Sequence, residues 1–233
     1  MQKLSRRQIS NLKQIKCETF SNLEEALKIL KQVANANFIE TFELHVNLNI
    51  NPKYTNQRLK KTLVLPHGTG KSPRIAVLTT EENFKKASME GVDIIGNDDL
   101  IMEITKNNIN FDVLIATPNV MPKLAKLGRI LGPKGLMPSP NSGTVTSTLQ
   151  STIKEFKNGK IEYKTDKNGI IHTSFGKSNF TIKQLIENLT VLYLSIEQNK
   201  PVSIKGKYFK SLYICSSMSP SIKLELDSFS SVK

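Results

Sequence analysis

The sequence predicts a two-domain protein of mixed α/β class, in which a central α/β domain is inserted into a split α+β domain. Two observations support this prediction. In the middle of the chain, short runs that are apolar on both faces alternate with helix-like segments, as in a parallel sheet covered by helices. Both flanks instead combine amphipathic helices with strands of alternating apolar and polar residues. We therefore expect one discontinuous domain, 1–66 with 158–233, and one inserted domain, 67–157.

The N-terminal flank predicts a basic arm, then a helix and a strand. The first sixteen residues are basic and contain no acidic residue. They lack the serine content of a transit segment, and no apolar signal core follows, so we expect a solvated arm. A capping box of Ser21 and Glu24 opens a helix that should end near Asn35. Strict alternation over 41–49 then predicts a strand covered on one face, with its polar face free for a partner.

The middle of the chain predicts three buried strands separated by helices. Because the runs are apolar on both faces, the strands should be parallel and covered on both sides. A passage rich in proline and glycine, LGRILGPKGLMPSPNSGTVT, comes after residue 117 and predicts a loop. The expected strands are 74–79, 92–96 and 111–117, and the expected helices are 81–90 and 97–106.

The C-terminal flank returns to alternating strands. The segments KIEYKTD and GIIHTSF predict two strands, and FKSLYICSSM and SIKLEL predict two more. Between these pairs, a helix is expected at about 181–199, with one apolar stripe formed by Ile182, Leu185, Ile186 and Leu189. This mixture matches the N-terminal flank, which is why we assign both flanks to one domain.

The formal net charge of +13 predicts a partner rich in phosphate, because Lys and Arg gain affinity by releasing the counterions condensed on nucleic acid. A membrane surface would attract the same charge. However, no apolar run approaches the roughly 18 to 20 residues needed to span a bilayer. A nucleic acid is therefore the favoured partner, and no membrane is expected.

The spacing of reactive residues predicts neither a metal site nor a catalytic centre. Cys17 and Cys215 are the only cysteines, and neither belongs to a CxxC or Cys/His ligand pattern. His45, His67 and His172 are too scattered along the sequence to suggest a metal-binding set. No GxSxG, HExxH or Cys/His catalytic signature occurs, so we expect no catalysis and no cofactor.

The stretch PHGTGKS contains Gly70, Lys71 and Ser72, which match the end of a phosphate-binding P-loop. A P-loop also needs a glycine five residues before Gly70, where Leu65 stands, and a helix after it. This stretch leads into a predicted strand instead. We therefore interpret it as a hinge between the two domains, in which Gly68 and Gly70 supply permissive backbone. A nucleotide-binding protein that uses GTGKS is the alternative interpretation.

The longer string LVLPHGTGKSPRIAVLT resembles the inter-domain junction of the large-subunit ribosomal protein L-one family. Further matching strings span most of residues 23–222: NFIETFELHVNLNI, FDVLIATPNVM, LGRILGPKGLMPSPNSGTVT, DKNGIIHTSFGK and SSMSPSI. The resemblance implies a discontinuous first domain that binds large-subunit rRNA, and an inserted Rossmann-like, three-layer second domain. It implies no dinucleotide, since no GxGxxG follows a predicted strand.

The resemblance also implies partners and a location. Members of the family belong to the mobile stalk beside the tRNA exit site, and bacterial members also repress translation of their own mRNA. The expected partners are therefore the large-subunit rRNA stalk, the exit-site tRNA and the protein's own mRNA. The abundance of Asn, Lys and Ile suggests an AT-rich genome. This composition indicates a ribosome in the plastid stroma or, alternatively, in the cytoplasm of a low-GC bacterium.

The resemblance implies RNA contacts in two short segments, one before and along the 41–49 strand and one in a turn that is Thr-Met-Gly in the family. Glu43 could accept hydrogen bonds from ribose 2′-OH groups or order neighbouring cations. Without the resemblance, Phe38 would be interpreted as a core residue and Met218 as filler. The expected contact residues are Phe38, Thr41, Glu43, Ser217, Met218 and Ser219.

Two positions depart from the family pattern. A separate group of basic residues has two possible roles. Asn37 stands where members have a basic residue, and Ser219 replaces the glycine of the turn, so both are expected to weaken RNA binding slightly. The basic group could bind phosphates or form a solvated face, and Lys164 and Lys167 are the preferred candidates for phosphate contact. It consists of Lys164, Lys167, His172 and Lys177.

Overall fold

The computed structural model describes residues 5–15, 19–80, 91–226 and 228–229. It divides the chain into two compact units, Met1–Gly70 with Tyr163–Lys233, and Lys71–Glu162. Helices and sheets are mixed in both units, which confirms the predicted fold class. Among the described residues, no helix has the length and apolar character needed to cross a bilayer.

The first unit is built on a five-stranded sheet in which β2 (Thr41–Leu48) is flanked by β9 (Phe209–Ser216) and β8 (Ile170–Lys177). Both of these pairings are antiparallel. The predicted alternation is confirmed, because every second residue of β2 is fully buried while the residues between them are partly exposed. In spatial order the strands are β1 (Thr19–Phe20), β10 (Ile222–Leu224), β9 (Phe209–Ser216), β2 (Thr41–Leu48) and β8 (Ile170–Lys177).

Two helices cover the apolar face of this sheet. Helix α2 (Leu23–Val33) buries its whole apolar stripe, and α7 (Ile182–Gln198) buries Leu185 and Leu189 as the sequence predicts. The predicted capping box at the start of α2 is wrong. Asn22 is the N-cap, and its side-chain oxygen accepts a hydrogen bond of 3.0 Å from the Glu24 N–H, a short reach that suits an Asn in extended geometry.

The basic N-terminal segment is a helix, α1 (Arg6–Gln14), which corrects the prediction of a solvated arm. Its capping box consists of Ser5 and Gln8, whose side chains each accept from the other's backbone N–H. Asn11 is buried, and its amide donates to the Val33 carbonyl at the end of α2, at 3.2 Å. This contact holds the helix against the unit, and charge composition could not reveal it.

The second unit is a three-layer arrangement around a parallel sheet ordered β5 (Ile94–Gly96), β4 (Ile75–Leu78) and β6 (Val113–Ala116). On one face, Ala76 and Leu78 pack with residues of α3 (Asp98–Thr105), α4 (Met121–Ala125) and α5 (Gly128–Leu131). On the other face, Ile75 and Val77 pack with α6 (Leu149–Lys157). The predicted strands are confirmed, and so is the helix expected at 97–106, whereas the helix expected at 81–90 lies outside the described residues.

The Pro/Gly-rich passage is not only loop. Helix α5 lies within it, and a 3-10 turn spans Pro140–Ser142. Leu124, Leu127 and Leu131 are spaced three and four residues apart, and all three are buried in the core of the second unit. Their burial stabilises short helices that local composition disfavours, because tertiary packing supplies most helical stability in proteins.

The segment between the units contains the stretch that resembles a P-loop. Gly68 and Gly70 both adopt positive φ angles, 65° and 72°. The next regular element is β4, so no helix N-terminus follows GTGKS. Asn188 of α7 is fully buried and fixes the start of this segment: its amide donates to the Gly68 carbonyl at 3.0 Å, and its oxygen accepts from the His67 N–H at 3.1 Å. Two further strands are β3 (Lys60–Val64) and β7 (Lys160–Lys164).

Candidate RNA interface

Two segments that are distant in sequence meet at one end of the five-stranded sheet. One is the 34–40 loop between α2 and β2, and the other is the 217–219 turn that follows β9. The Thr41 N–H donates to Ser217 Oγ at 3.2 Å, and the Ser217 N–H donates to the Thr41 carbonyl at 3.1 Å. The fold therefore joins both segments that the sequence assigned to RNA contact.

Glu40 connects the two segments, although it was not among the contact residues predicted from the sequence. The residue is 1% exposed. One carboxylate oxygen accepts from the Ala36 N–H at 3.0 Å, and the other accepts from Ser216 Oγ at 2.5 Å and from the Met218 N–H at 3.0 Å. A signal was present in the sequence, because residue 40 falls on the buried phase of the alternation in β2.

Large apolar side chains project from this end of the sheet. Phe38 is 55% exposed, Ile39 is 57% exposed and Met218 is 47% exposed. Neither Phe38 nor Met218 belongs to the core, so the interpretation of these residues as core and filler is wrong. Exposed apolar side chains beside polar backbone are typical of binding surfaces.

Ser219 uses its extra side chain inside the turn. Its Oγ accepts from the Ser216 N–H at 2.9 Å and donates to the Pro220 carbonyl at 3.1 Å. Ser219 has no positive φ, since Asn107 is the only non-glycine residue with one in the described chain. The turn therefore accepts serine in place of glycine without backbone strain.

A cavity of about 280 Å³ lies beside the 217–219 turn. It is lined by Arg7, Gln8 and Leu12 of α1 and by residues 217–220. Arg7 is half-buried, and within the described chain no carboxylate pairs with it. A half-buried guanidinium without an acidic partner is suited to an anion such as phosphate. Nothing in the sequence beyond its positive charge pointed to Arg7.

The predicted basic residues are spread along the sheet. Lys177 pairs with Thr41 in the register of β8 and β2, so it lies at the same end as the 217–219 turn. Ile170 pairs with Asn47, six residues further along β2, or roughly 20 Å away at about 3.3 Å per residue. Lys164 and Lys167 are exposed and precede this far end. The fold does not bring them to Phe38 and Met218.

The polar face of β2 forms a second cluster between these two ends. His45 pairs with His172 across β2 and β8, and their Nδ1 atoms are 2.8 Å apart. Glu43 pairs with Cys215 across β2 and β9, and His45 Nε2 lies 3.1 Å from Cys215 Sγ and 3.8 Å from Glu43 Oε2. His45 and His172 are therefore neighbours in the folded sheet although they lie 127 positions apart in the sequence. His67 lies elsewhere, bonded to Glu187.

Burial shifts the pKa of two members of this cluster, His45 and Cys215. It lowers the pKa of His45 below its ordinary value, and the neighbouring His172 lowers it further, while Glu43 opposes both. Burial, followed by the nearby Glu43, raises the pKa of the Cys215 thiol to about 11. Near neutral pH the free cluster therefore contains a neutral thiol. Cys17 lies outside the described residues.

Comparison with known proteins gives consistent matches. Residues 30–220 match the family described as "Ribosomal protein L1p/L10e family". The chain is 63% identical to "Large ribosomal subunit protein uL1c" of Phaeodactylum tricornutum, over 98% of this chain and 100% of that protein. It is 62% identical to the protein of the same name from Trieres chinensis, with the same coverage. It is 53% identical to "Large ribosomal subunit protein uL1" of Prochlorococcus marinus (strain MIT 9515), over 97% and 96% of the two chains.

Proposed function

This chain belongs to the ribosomal protein L1p/L10e family, and we therefore propose that it is a structural, non-enzymatic protein of the large ribosomal subunit that binds ribosomal RNA. The observation that carries the RNA-binding site is the junction of the 34–40 loop with the 217–219 turn. There, Glu40 holds both segments while Phe38 and Met218 remain exposed. Sequence-specific RNA recognition commonly uses such features, because unstacked bases pack on apolar side chains and 2′-OH groups bond to polar ones.

We propose that the bound RNA is the large-subunit rRNA stalk and that the protein assists the release of exit-site tRNA. Repression of the protein's own mRNA is part of the same proposal, since it would use the same surface. The net charge of +13 supports a nucleic-acid partner in each case. For location we propose the plastid stroma, with a bacterial cytoplasm as the alternative. The higher identity to the two uL1c proteins, from algae that carry plastids, than to the Prochlorococcus protein supports the plastid.

The test of the site is a titration against a large-subunit rRNA stalk fragment at several salt concentrations. Met218→Ala should cost about 1–3 kcal/mol of binding free energy, as for the loss of a stacking or buried contact. Its salt slope should barely change, because no phosphate contact is lost. We propose that the RNA also extends along the sheet to the far end where Lys164 lies, so Lys164→Ala should instead weaken binding and reduce the slope by about one counterion.

Two further variants serve as controls in this titration. Lys71→Ala removes one exposed positive charge from GTGKS and should cost little affinity. Ser219→Gly restores the turn of the family and should hold or raise affinity. If Met218→Ala binds like the parent protein while Lys71→Ala loses binding, the proposed site is in the wrong place.

We also propose that Gly68 and Gly70 form a hinge for the inserted domain, which the sequence assigns to 67–157. Their positive φ angles support this proposal, and an alanine Cβ at position 70 would lie 3.0 Å from the Phe180 ring. Replacing both by alanine should leave each unit folded and narrow the distribution of interdomain distances in single-molecule measurements.

Gly206→Ala is the matched control for the hinge. Gly206 has a similar φ of 81°, and an added Cβ would meet no atom within 4 Å, so the variant carries the same backbone strain away from GTGKS. Its distance distribution should equal that of the parent protein. Identical distributions in the parent and in the double variant would reject the hinge.

A further inference from the structure

We infer that Glu43, His45 and Cys215 form a binding site for a divalent transition-metal ion, with Zn²⁺ the best match. One ligand atom of each residue lies within 4.8 Å of the other two. Zinc bonds of about 2.0–2.3 Å place neighbouring ligand atoms about 3.3–3.8 Å apart in a tetrahedral site. The observed separations of 3.1 Å and 3.8 Å from His45 Nε2 therefore need only small side-chain adjustments.

The register of the sheet places these three side chains together. Glu43 and Cys215 are direct cross-strand partners, and His45 lies two residues further along β2 on the same face. Side chains that face each other across neighbouring strands have Cβ atoms about 4.5–5.5 Å apart. Because β2 pairs on both sides, the backbone that carries the set is held by two hydrogen-bonded neighbours, which suits a preorganised site.

The surroundings of His45 match those of a metal-ligating histidine. With Nε2 facing Cys215 and Glu43, its Nδ1 lies 2.8 Å from His172 Nδ1, and His172 Nε2 lies 3.7 Å from Asp166 Oδ2. One arrangement of protons satisfies this chain: His45 Nδ1–H donates to His172, and His172 Nε2–H faces Asp166. A ligating histidine commonly donates its second N–H in this way, which sets its tautomer and orientation.

The chemistry of the donors selects the ion. A thiolate and an imidazole favour zinc and similar metals, whereas Mg²⁺ and Ca²⁺ prefer sites made of oxygen. On binding, the Cys215 thiol releases its proton to solvent, and the thiolate and carboxylate then balance the charge of the ion. Three protein ligands leave one position of a tetrahedron for water or for a phosphate oxygen. The ion would thus lend positive charge to a face that otherwise presents Glu43.

The experiment is a titration of the RNA-free, full-length protein with Co²⁺, followed by displacement with Zn²⁺. We expect one equivalent to bind, with a thiolate-to-cobalt charge-transfer band and the visible bands of a tetrahedral site. Cys215→Ser should lose the charge-transfer band, and His45→Ala should lower cobalt affinity at least tenfold. His172→Ala removes only the neighbour of His45, so it should keep the band and lower affinity about tenfold.

Cys17→Ser is the matched control, because it removes the other cysteine of the chain. It should retain the band and the affinity of the parent protein. The inference is overturned if the cobalt affinity of the parent protein is no higher than that of Cys215→Ser. It is also overturned if Cys17→Ser loses the charge-transfer band. Far-UV circular dichroism of each variant verifies that the fold is kept. Since the titration contains no RNA, its outcome is independent of the proposed RNA site.

Discussion

Replacing Glu40 by alanine will lower the free energy of unfolding by roughly 2–4 kcal/mol and weaken binding of the rRNA stalk fragment at least tenfold. The variant leaves Ser216 Oγ and the backbone N–H groups of Ala36 and Met218 without their acceptor. A fully buried donor without a partner costs about 1–3 kcal/mol, and the partly buried N–H groups of Ala36 and Met218 recover part of that cost from water. The 217–219 turn then loses its link to the 34–40 loop, so Met218 and Phe38 are no longer held together. Urea denaturation and the RNA titration measure the two effects.

The sign of the RNA effect makes this test informative. Removal of a negative charge from a protein of net charge +13 should by itself strengthen RNA binding, so weaker binding must come from lost positioning. Glu103→Ala is the matched control, because it removes the same charge from an exposed position of the second unit. Glu40→Gln keeps the shape and one acceptor, and its losses should lie between those of alanine and the parent protein. If Glu40→Ala binds RNA as Glu103→Ala does, Glu40 does not position the site.

Asn188→Ala is expected to lower the free energy of unfolding of the first unit by roughly 2–4 kcal/mol. The buried amide donates to the Phe175 carbonyl at 2.9 Å as well as to Gly68, and it accepts from the His67 N–H. Alanine leaves three backbone groups unsatisfied and opens a small void. The His67 amide should also exchange with solvent faster, because its only acceptor in the described structure is Asn188.

Lys183→Ala provides the comparison on the same helix. Lys183 is exposed, so its removal should change the free energy of unfolding by no more than about 0.5 kcal/mol. The His67 amide should keep its protection in this variant. If the hydrogen-exchange rate of the His67 amide is unchanged in Asn188→Ala, other contacts hold the backbone at this position. Because the chain has two units, the unfolding transition of the first unit must be followed separately.

Periodicity was sufficient for most elements of this fold. The alternation in β2, the doubly apolar strands β4 to β6 and the stripe of α7 each depend on residues that are close in sequence. A strand or helix that is buried on one face or on both has a regular spacing of apolar residues in its own sequence. That spacing can be recognised without knowing which element packs against it. The RNA surface was predicted from the strings that resemble the L-one family. Local patterns alone could not distinguish RNA-contact residues such as Phe38 and Met218 from core residues.

Elements whose stability comes from distant partners were misjudged. Helix α1 looked like a solvated arm because its docking depends on Asn11 meeting the Val33 carbonyl, 22 residues away. Helix α5 looked like loop because Gly and Pro are poor helix formers, and burial of its leucines outweighs that cost only in the folded unit.

The same reason explains the functional surfaces. A sequence shows that Glu40, His45, His172 and Cys215 exist, but their meaning comes from strand register, which joins residues more than a hundred positions apart. Glu40 reaches Ser216 across 176 positions, and His45 reaches His172 across 127. Register is set by the turns and by the shared burial of whole strands, since a shift by one residue would move every side chain to the other face. Local pattern therefore determined which face of β2 is polar, and the folded sheet determined which polar groups share it.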